Sequence, residues 1–145
     1  MEQLEWIGYC AGLYEGEGSV GCYSHTHNVG TKTTKHKGGK QYRRKSEFRQ
    51  SYIVIQISMT DLMPLELFRE TMDVGNINGP YQRKPQEKEF YMYSTSKQKD
   101  VIYIRDTLWS YLSERRKDQF IEAFDKFELY KKGLKSTPTD DILVN

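Results

Sequence analysis

Residues 10–18 read Cys-Ala-Gly-Leu-Tyr-Glu-Gly-Glu-Gly, and they close a segment of helical periodicity that begins at Glu2. Apolar side chains recur in this segment at the spacing of one helix face, which predicts a helix over 2–15. Glycines recur every four residues as well, although each costs about 1 kcal/mol in a helix relative to alanine. The alternative, a frayed helix, is disfavoured by the apolar periodicity, so we predict a groove through which a second helix approaches closely. The small residues concerned are Gly8, Ala11, Gly12 and Gly16.

The residues that follow predict a long hairpin. Ser19 to His27 and Tyr52 to Ser58 both alternate between apolar and polar residues, as half-buried strands do. In the second of them, three isoleucines face one side and polar residues face the other, which is typical of an antiparallel sheet with one solvated side. The intervening residues, Gly30 to Lys45, are polar and basic, so we predict a long, flexible hairpin connection there.

A second helix and a second hairpin are predicted further along the chain. Asp61 is placed to cap a helix over 62–72, and residues 74–81 and 89–94 have the pattern of two more strands. From Ser96 onward the apolar spacing is helical. The apolar residues of this last part are Val101, Ile104, Leu108, Tyr111, Leu112, Phe120, Ile121, Phe124 and Phe127.

The order helix, hairpin, helix, hairpin, helices defines the fold class. It predicts an α+β sandwich of two layers, α-β-β-α-β-β-α, in which helices cover one face of a four-stranded antiparallel sheet. We place the domain at residues 1–132, with a basic hairpin loop at 28–46 and a loosely ordered tail at 133–145.

Basic residues are concentrated in one segment. Between Gly30 and Gln50 there are eight lysines and arginines against one acid, whereas the rest of the chain holds fourteen basic and nineteen acidic residues. A neutral or acidic body with one strongly basic segment is expected of a protein that meets a polyanion with one face. The two cysteines are too few for a disulfide framework, and the longest apolar runs are strand-sized. We therefore expect a soluble protein of the cytoplasm or an organelle matrix, with no membrane partner.

The stretch 10–18 resembles the LAGLIDADG motif of homing endonucleases, in the variant that ends Glu-Gly-Glu-Gly. Residues 56–61 are similar to that family's second strand and its exit, and 74–77 to the start of its third strand. The resemblance covers roughly residues 6–125, and it includes the order of the elements. It implies a saddle-shaped sheet and a site-specific DNA endonuclease from a mobile intron or a similar genetic element.

The resemblance also implies the catalytic residues. Glu17 matches the carboxylate that binds divalent metal together with the carbonyl of Gly16, and the family's metal is Mg²⁺, with Mn²⁺ or Ca²⁺ able to occupy the same sites. Glu15 is then the structural member of the acidic pair. A basic residue near the carboxylates is expected at Arg115, or otherwise at Lys117. Met59 occupies a position where close relatives carry a polar residue that orders water.

A single motif in the chain implies a homodimer. In the family, two motif helices pack through their small residues, here Gly8, Ala11, Gly12 and Gly16, and deliver one carboxylate each. The expected target is a long, near-palindromic DNA duplex, both strands of which are hydrolysed, and no small-molecule substrate is expected. Polar strand faces in the major groove and the basic segment would contact the DNA. The expected DNA-binding residues are Tyr23, His25, Lys35, Arg43, Arg44, Arg49, Gln56, Ser58, Asn76, Asn78 and Arg83.

Other functions are weaker interpretations of the same residues. A domain of this fold that has lost cleavage would act as an RNA-splicing maturase or a DNA-binding regulator, but such domains commonly lose the motif acid, and Glu17 is present. An unrelated RNA-binding α+β domain would mix aromatic and basic residues on the open sheet face, and the tyrosines permit this. The histidines and cysteines fit no standard zinc spacing.

Overall fold

A computed structural model describes residues 2–35 and 41–132, and of residues 25–35 and 41–49 it describes the backbone alone. The chain follows the predicted order of helix, hairpin, helix, hairpin and helices. None of the helices in these ranges is both long and apolar enough to span a membrane. The elements are α1 (Gln3–Glu17), β1 (Gly18–Lys35), β2 (Gln41–Met59), α2 (Leu62–Met72), β3 (Asn76–Tyr81), β4 (Phe90–Thr95), α3 (Gln98–Leu108), a 3-10 turn (Trp109–Tyr111) and α4 (Glu114–Lys131).

The four strands form one antiparallel sheet in the order β1-β2-β4-β3. Each hairpin pairs its own two strands, and the hairpins are joined where β2 pairs with β4. The ladder places Gly18 opposite Ile57, and Ile57 opposite Tyr93. Because residues directly opposite each other lie on the same face of a sheet, this register fixes which side chains meet the helices.

The helices cover one face of the sheet, as predicted. The isoleucines of β2 are fully buried, and the apolar stripes of the helices pack against them. The fully buried residues of the core include Tyr14, Ile53, Ile55, Ile57, Leu65, Phe68, Tyr93, Val101, Ile104, Leu108 and Phe120. The protein is therefore a two-layer α+β sandwich whose second sheet face carries no helix among the described residues.

Helix α2 confirms the predicted cap and buries one apolar stripe. The carboxylate of Asp61 accepts a hydrogen bond from the backbone N–H of Met63 at 3.2 Å, which caps the first turn. Leu65, Phe68 and Met72 are buried along one side of the helix. The helix ends at Asp73, whose φ of 59° is left-handed.

Two expectations differ from the structure, and a third falls outside the described residues. Most of the predicted flexible connection at 30–45 is strand, because β1 runs to Lys35 and β2 begins at Gln41. An antiparallel ladder is held by backbone hydrogen bonds, so it does not require the apolar alternation on which the prediction relied. Tyr111 and Ile121 were assigned to the apolar stripe, but they are exposed. The predicted tail, 133–145, lies outside the described residues.

Candidate functional site

The two acids at the end of α1 have different surroundings. The carboxylate of Glu15 accepts hydrogen bonds from the backbone N–H and the hydroxyl of Ser113, at 2.9 and 2.7 Å. These bonds, and after them the charges of Arg116 and Arg115, hold the pKa of Glu15 below its ordinary value. Glu17, the last residue of α1, is exposed and makes no hydrogen bond or ion pair with the described residues. Glu15 is therefore structural, as predicted, and the carboxylate of Glu17 is open to a ligand.

Arg116 fixes the backbone that carries Glu17. Its side chain is nearly buried, at 8% exposure. Its Nε donates to the carbonyl of Glu15 at 3.0 Å, and its Nη1 donates to the carbonyl of Gly18 at 2.6 Å and to the side chain of Gln119 at 3.0 Å. The guanidinium thus holds the chain on both sides of Glu17. A buried arginine with several acceptors is a positioning group rather than a free cation.

The change from helix to strand occurs at Gly18 without a connecting loop. The ring of Tyr14 stacks on Phe120, with centroids 5.4 Å apart, and lies against Gly18, where an added Cβ would overlap the ring. Burial raises the pKa of Tyr14, whose hydroxyl is buried and has no hydrogen-bond partner among the described residues. Only glycine permits this close approach, so Gly18 allows β1 to leave directly from Glu17.

Glu17 lines a cleft between the end of β2 and the loop that joins β3 to β4. The cleft has a volume of about 440 Å³. The loop is braced by Gln82, whose side-chain amide donates to the carbonyls of Pro85 and Glu87 at 3.2 and 2.7 Å. The basic residues of this cleft are Arg83 and Lys88. The other residues that line it are Ser58, Met59, Thr60, Glu87 and Phe90.

The basic residues expected beside Glu17, Arg115 and Lys117, belong to the first turn of α4. Arg115 is exposed on the first turn of α4. The Lys117 ammonium lies 3.8 Å from the carboxylate of Glu114 and 5.6 Å from the ring centroid of Trp109. Neither Arg115 nor Lys117 lines the cleft of Glu17. Their catalytic role stays a prediction, and Arg83 and Lys88 are the basic residues that the fold brings to Glu17.

The sheet face away from the helices carries a polar row. The strand pairing aligns Ser19, Gln56, Ser94 and Asn76 across all four strands. A second row, Ser58, Met92 and Asn78, runs beside it. We call this surface the open face. It brings together four predicted DNA-binding residues, namely Gln56, Ser58, Asn76 and Asn78.

The remaining predicted DNA-binding residues have different positions. Tyr23 lies on the open face, four residues along β1 from Ser19, and is exposed. Arg83 lies in the β3–β4 loop, where its guanidinium is 4.5 Å from the ring centroid of Phe90. The side chains of the other five lie outside the described residues, so their roles stay predictions. These are His25, Lys35, Arg43, Arg44 and Arg49.

The glycines of α1 form an unoccupied strip. A Cβ atom added at Gly8, Gly12 or Gly16 would meet nothing within 4 Å, so all three face open space. Leu4, one turn before Gly8, is 70% exposed. Ala11 differs from the prediction, since it is only 2% exposed and packs in the core of its own chain. The strip available to a partner therefore consists of the glycines without Ala11.

No family model matches the sequence, and no curated protein matches it. Many solved structures share its arrangement, among them three homing endonucleases. The group I intron-encoded homing endonuclease I-CeuI, complexed with DNA, has a TM-score of 0.54 and 16% identity, with 88% of this chain and 56% of that chain covered. The I-LtrWI LAGLIDADG homing endonuclease, bound to target DNA, has a TM-score of 0.56 and 22% identity, with 90% and 39% covered. The LAGLIDADG homing endonuclease I-GzeII, in complex with its DNA target, has a TM-score of 0.55 and 17% identity, with 88% and 36% covered.

The chain has the LAGLIDADG homing-endonuclease fold. It spans about half the length of I-CeuI and less than half that of I-LtrWI and I-GzeII. The stretch 10–18 forms the end of α1 and the turn into β1, which places Gly12 and Gly16 on the strip and Glu17 in the cleft.

The residues around Glu17 fit the divalent metal that this fold implies. The Glu17 carboxylate and the Gly16 carbonyl are hard oxygen donors, which Mg²⁺ prefers, and Mg²⁺ keeps several waters that a cleft of about 440 Å³ can hold. The described residues contain no cluster of three or more His, Cys, Asp or Glu side chains suited to a metal. Within the described part of the chain, a metal held by Glu17 and the Gly16 carbonyl would therefore need further ligands.

Sequence reasoning missed Arg116, Lys88 and Tyr52. A signal for Arg116 was present, since it lies four residues after Leu112 and four before Phe120, on the buried stripe of the last helix. Lys88 had no comparable signal, because its approach to Glu17 depends on how the β3–β4 loop folds. Tyr52 is on the polar side of a predicted strand, and its contact with Tyr23 follows only from the strand register.

Proposed function

We propose that this protein is an intracellular, site-specific DNA endonuclease that acts as a homodimer with divalent metal ions. The observation that carries the proposal is the position of Glu17. Its exposed carboxylate ends a helix held rigidly by Arg116, and it lies in a cleft with Arg83 and Lys88 beside the polar open face. A carboxylate that is held in place, free of protein partners and next to basic side chains suits phosphodiester hydrolysis.

The open face suits the DNA major groove. The groove is about 12 Å wide and admits a two-stranded β-ribbon, and each base pair presents a distinct pattern of donors and acceptors there. Gln56 and Asn76 lie in one row across the sheet, and their amides can pair with adenine. The basic segment between Gly30 and Gln50 would contact phosphates. We therefore expect sequence-specific binding to duplex DNA.

Cleavage requires ligands that one chain lacks. Glu17 and the carbonyl of Gly16 would hold Mg²⁺ or Mn²⁺, and Ca²⁺ could occupy the same position. When bound, the metal would activate a water and stabilise the leaving oxygen. The side chains of Arg83 and Lys88 would lie against the charged phosphate as it reacts.

A second copy of the chain would complete the site. The strip of Gly8, Gly12 and Gly16 permits close helix–helix contact, because no side chain separates the two backbones. Glu17 follows Gly16 directly, so packing two strips together brings the two carboxylates close to each other. A two-fold dimer has the same surface on both subunits, so the expected target is near-palindromic and both strands are cut.

A second candidate function is supported by Met59. This residue lines the cleft beside Glu17, and its thioether is only a weak hydrogen-bond acceptor. The water network that cleavage requires would then lack a polar partner at this position. A DNA-binding regulator or a splicing maturase would tolerate a methionine at this position, because neither needs the water network of cleavage.

The deciding experiment is selection from a randomised near-palindromic duplex library with Mg²⁺. We expect wild-type protein to cut one symmetric site, and Glu17→Gln to bind that site without cutting it. Glu66→Gln is the matched control, because it makes the same change at an exposed position of α2 and should cut normally. Binding without cleavage by wild type would refute the nuclease and support the second candidate. Cleavage gained by Met59→Gln would then identify Met59 as the cause.

A further inference from the structure

Two tyrosines lie side by side on the open face, away from Glu17. Tyr23 of β1 is directly opposite Tyr52 of β2, and their ring centroids are 5.8 Å apart with an interplanar angle of 38°. The side chains are 49% and 39% exposed. Large aromatic rings are normally buried to a greater extent than this. A pair of exposed rings in contact therefore marks an apolar patch on a surface that is otherwise polar.

The ring of Tyr23 lies against the backbone of its own strand. Gly21 precedes Tyr23 by two residues on the same face, and a Cβ atom there would lie 2.7 Å from the Tyr23 hydroxyl. Tyr23 therefore leans back over Gly21 instead of extending into solvent. Val54, opposite Gly21, is only 7% exposed although it too lies on the open face. The patch therefore consists of two aromatic rings with the aliphatic Val54 on the same face of the sheet.

The register gives the distance from this patch to the polar row. Tyr52 precedes Gln56 by four residues on the same strand. At about 3.3 Å per residue the separation is about 13 Å, which corresponds to about four base pairs at 3.4 Å each. Glu17 lies on the opposite side of the row from the tyrosines, just before the start of β1. The tyrosines would thus meet the duplex about four base pairs further from the cut than Gln56 does.

We propose that Tyr23 and Tyr52 recognise thymine through its 5-methyl group, an inference that rests on the proposed function. In the major groove the thymine methyl is the apolar feature of the base edges, and it is read by apolar contact. The two rings offer such contact, whereas Gln56 and Asn76 offer hydrogen bonds. Each ring contacts its neighbour and Tyr23 also leans over the strand, which leaves less ring area for stacking on unpaired RNA bases. Duplex DNA is therefore the favoured ligand.

The test replaces each thymine of a selected duplex in turn by deoxyuridine, which removes only the methyl group. Equilibrium binding of the full chain is measured without divalent metal, so that the DNA is not cut. We expect one thymine in each half-site to be sensitive to removal of its methyl group. The affinity should fall about fourfold, which is the change expected when one buried carbon group is lost. That thymine should lie about four base pairs outward from the position where Gln56→Ala relaxes base preference.

Substitutions at the two tyrosines test whether they cause the difference in affinity between thymine and uracil duplexes. Tyr52→Ala and Tyr23→Ala should bind thymine and uracil duplexes equally, whereas Tyr52→Phe should keep the difference because the ring remains. Tyr103→Ala is the matched control, since Tyr103 is an equally exposed tyrosine on α3. Insensitivity of wild type at every thymine, or a difference that persists in both alanine variants, would overturn the inference. So would tighter binding to single-stranded RNA that depends on these rings. Absence of any duplex binding would instead refute the proposed function.

Discussion

Ser113 binds Glu15 twice, through its hydroxyl at 2.7 Å and its backbone N–H at 2.9 Å, although the two residues are 98 positions apart. The same hydroxyl accepts a hydrogen bond from the backbone N–H of Arg116 at 3.3 Å, so Ser113 also caps α4. The end of α1 and the start of α4 are therefore one hydrogen-bonded unit. Because Glu17 lies at this end of α1, the unit determines where the proposed catalytic carboxylate lies.

Removal of the Ser113 hydroxyl should destabilise the protein. Ser113→Ala loses a helix cap and one hydrogen bond to a charged carboxylate, which together stabilise the fold by about 1–2 kcal/mol. Urea unfolding measures this difference in the free energy of unfolding. Ser110→Ala, at an exposed serine of the 3-10 turn, is the control and should unfold like wild type. Equal losses from both variants would show that the contact with Glu15 contributes nothing.

Low pH should destabilise the hydrogen-bonded contact between α1 and α4, because it protonates Glu15. Hydrogen bonds from Ser113 lower the pKa of this carboxyl in the folded protein, and nearby Arg116 adds to the effect. The resulting stability is present above the ordinary glutamate pKa of about 4.3 and is lost as the pH falls through the lowered folded value. The side chain is about one-third exposed, so solvent reduces the effect. Between about pH 6 and pH 3, the urea midpoint of wild type should therefore fall more steeply than that of Glu15→Gln. Parallel curves would contradict this assignment.

The parts of the fold that were predicted correctly are those with local signals. Helix α2 has both a capping Asp61 and an apolar stripe, so its bounds at Leu62–Met72 follow from a few neighbouring residues. The strand pattern of Tyr52 to Ser58 likewise predicts which side of β2 is buried. At the end of α1, the structural role of Glu15 followed from the resemblance, and its hydrogen bonds agree with that role. The role of Glu17 stays a prediction.

The parts that were missed depend on contacts between distant segments. Arg116 belongs to a run of three basic residues that suggests a solvated surface. Its spacing from Leu112 and Phe120 indicates burial, but the carbonyls that it binds, those of Glu15 and Gly18, are 101 and 98 residues away in sequence. Lys88 is 71 residues from Glu17 in sequence, and the sheet and the loop fold bring it to the same cleft. The extension of β1 to Lys35 depends on backbone pairing, which side-chain patterns do not report.

A side chain added at position 12 should stabilise the monomer but oppose formation of the proposed dimer. A Cβ atom at this position meets nothing within 4 Å, so Gly12→Ala should stabilise α1 in the monomer by up to about 1 kcal/mol. In the proposed dimer the same atom would separate the two helices, and Gly12→Leu should abolish association. Unfolding at low protein concentration measures the first effect, and sedimentation measures the second. Glu122→Leu adds the same side chain to an exposed position of α4 and should leave association unchanged. A dimer that persists in Gly12→Leu would place the interface elsewhere.

Removal of the Lys88 side chain should slow cleavage more than it weakens DNA binding. It lines the cleft of Glu17, so its charge would lie against the reacting phosphate, where negative charge increases in the transition state. We expect Lys88→Ala to slow single-turnover cleavage on the order of 100-fold, with little change in the affinity for the uncut duplex. Lys84→Ala removes an equivalent charge from the same exposed loop at a position that does not line the cleft, and it should cut at the wild-type rate. If Arg115→Ala or Lys117→Ala slowed cleavage while Lys88→Ala did not, the basic group would come from α4, as the sequence resemblance implies.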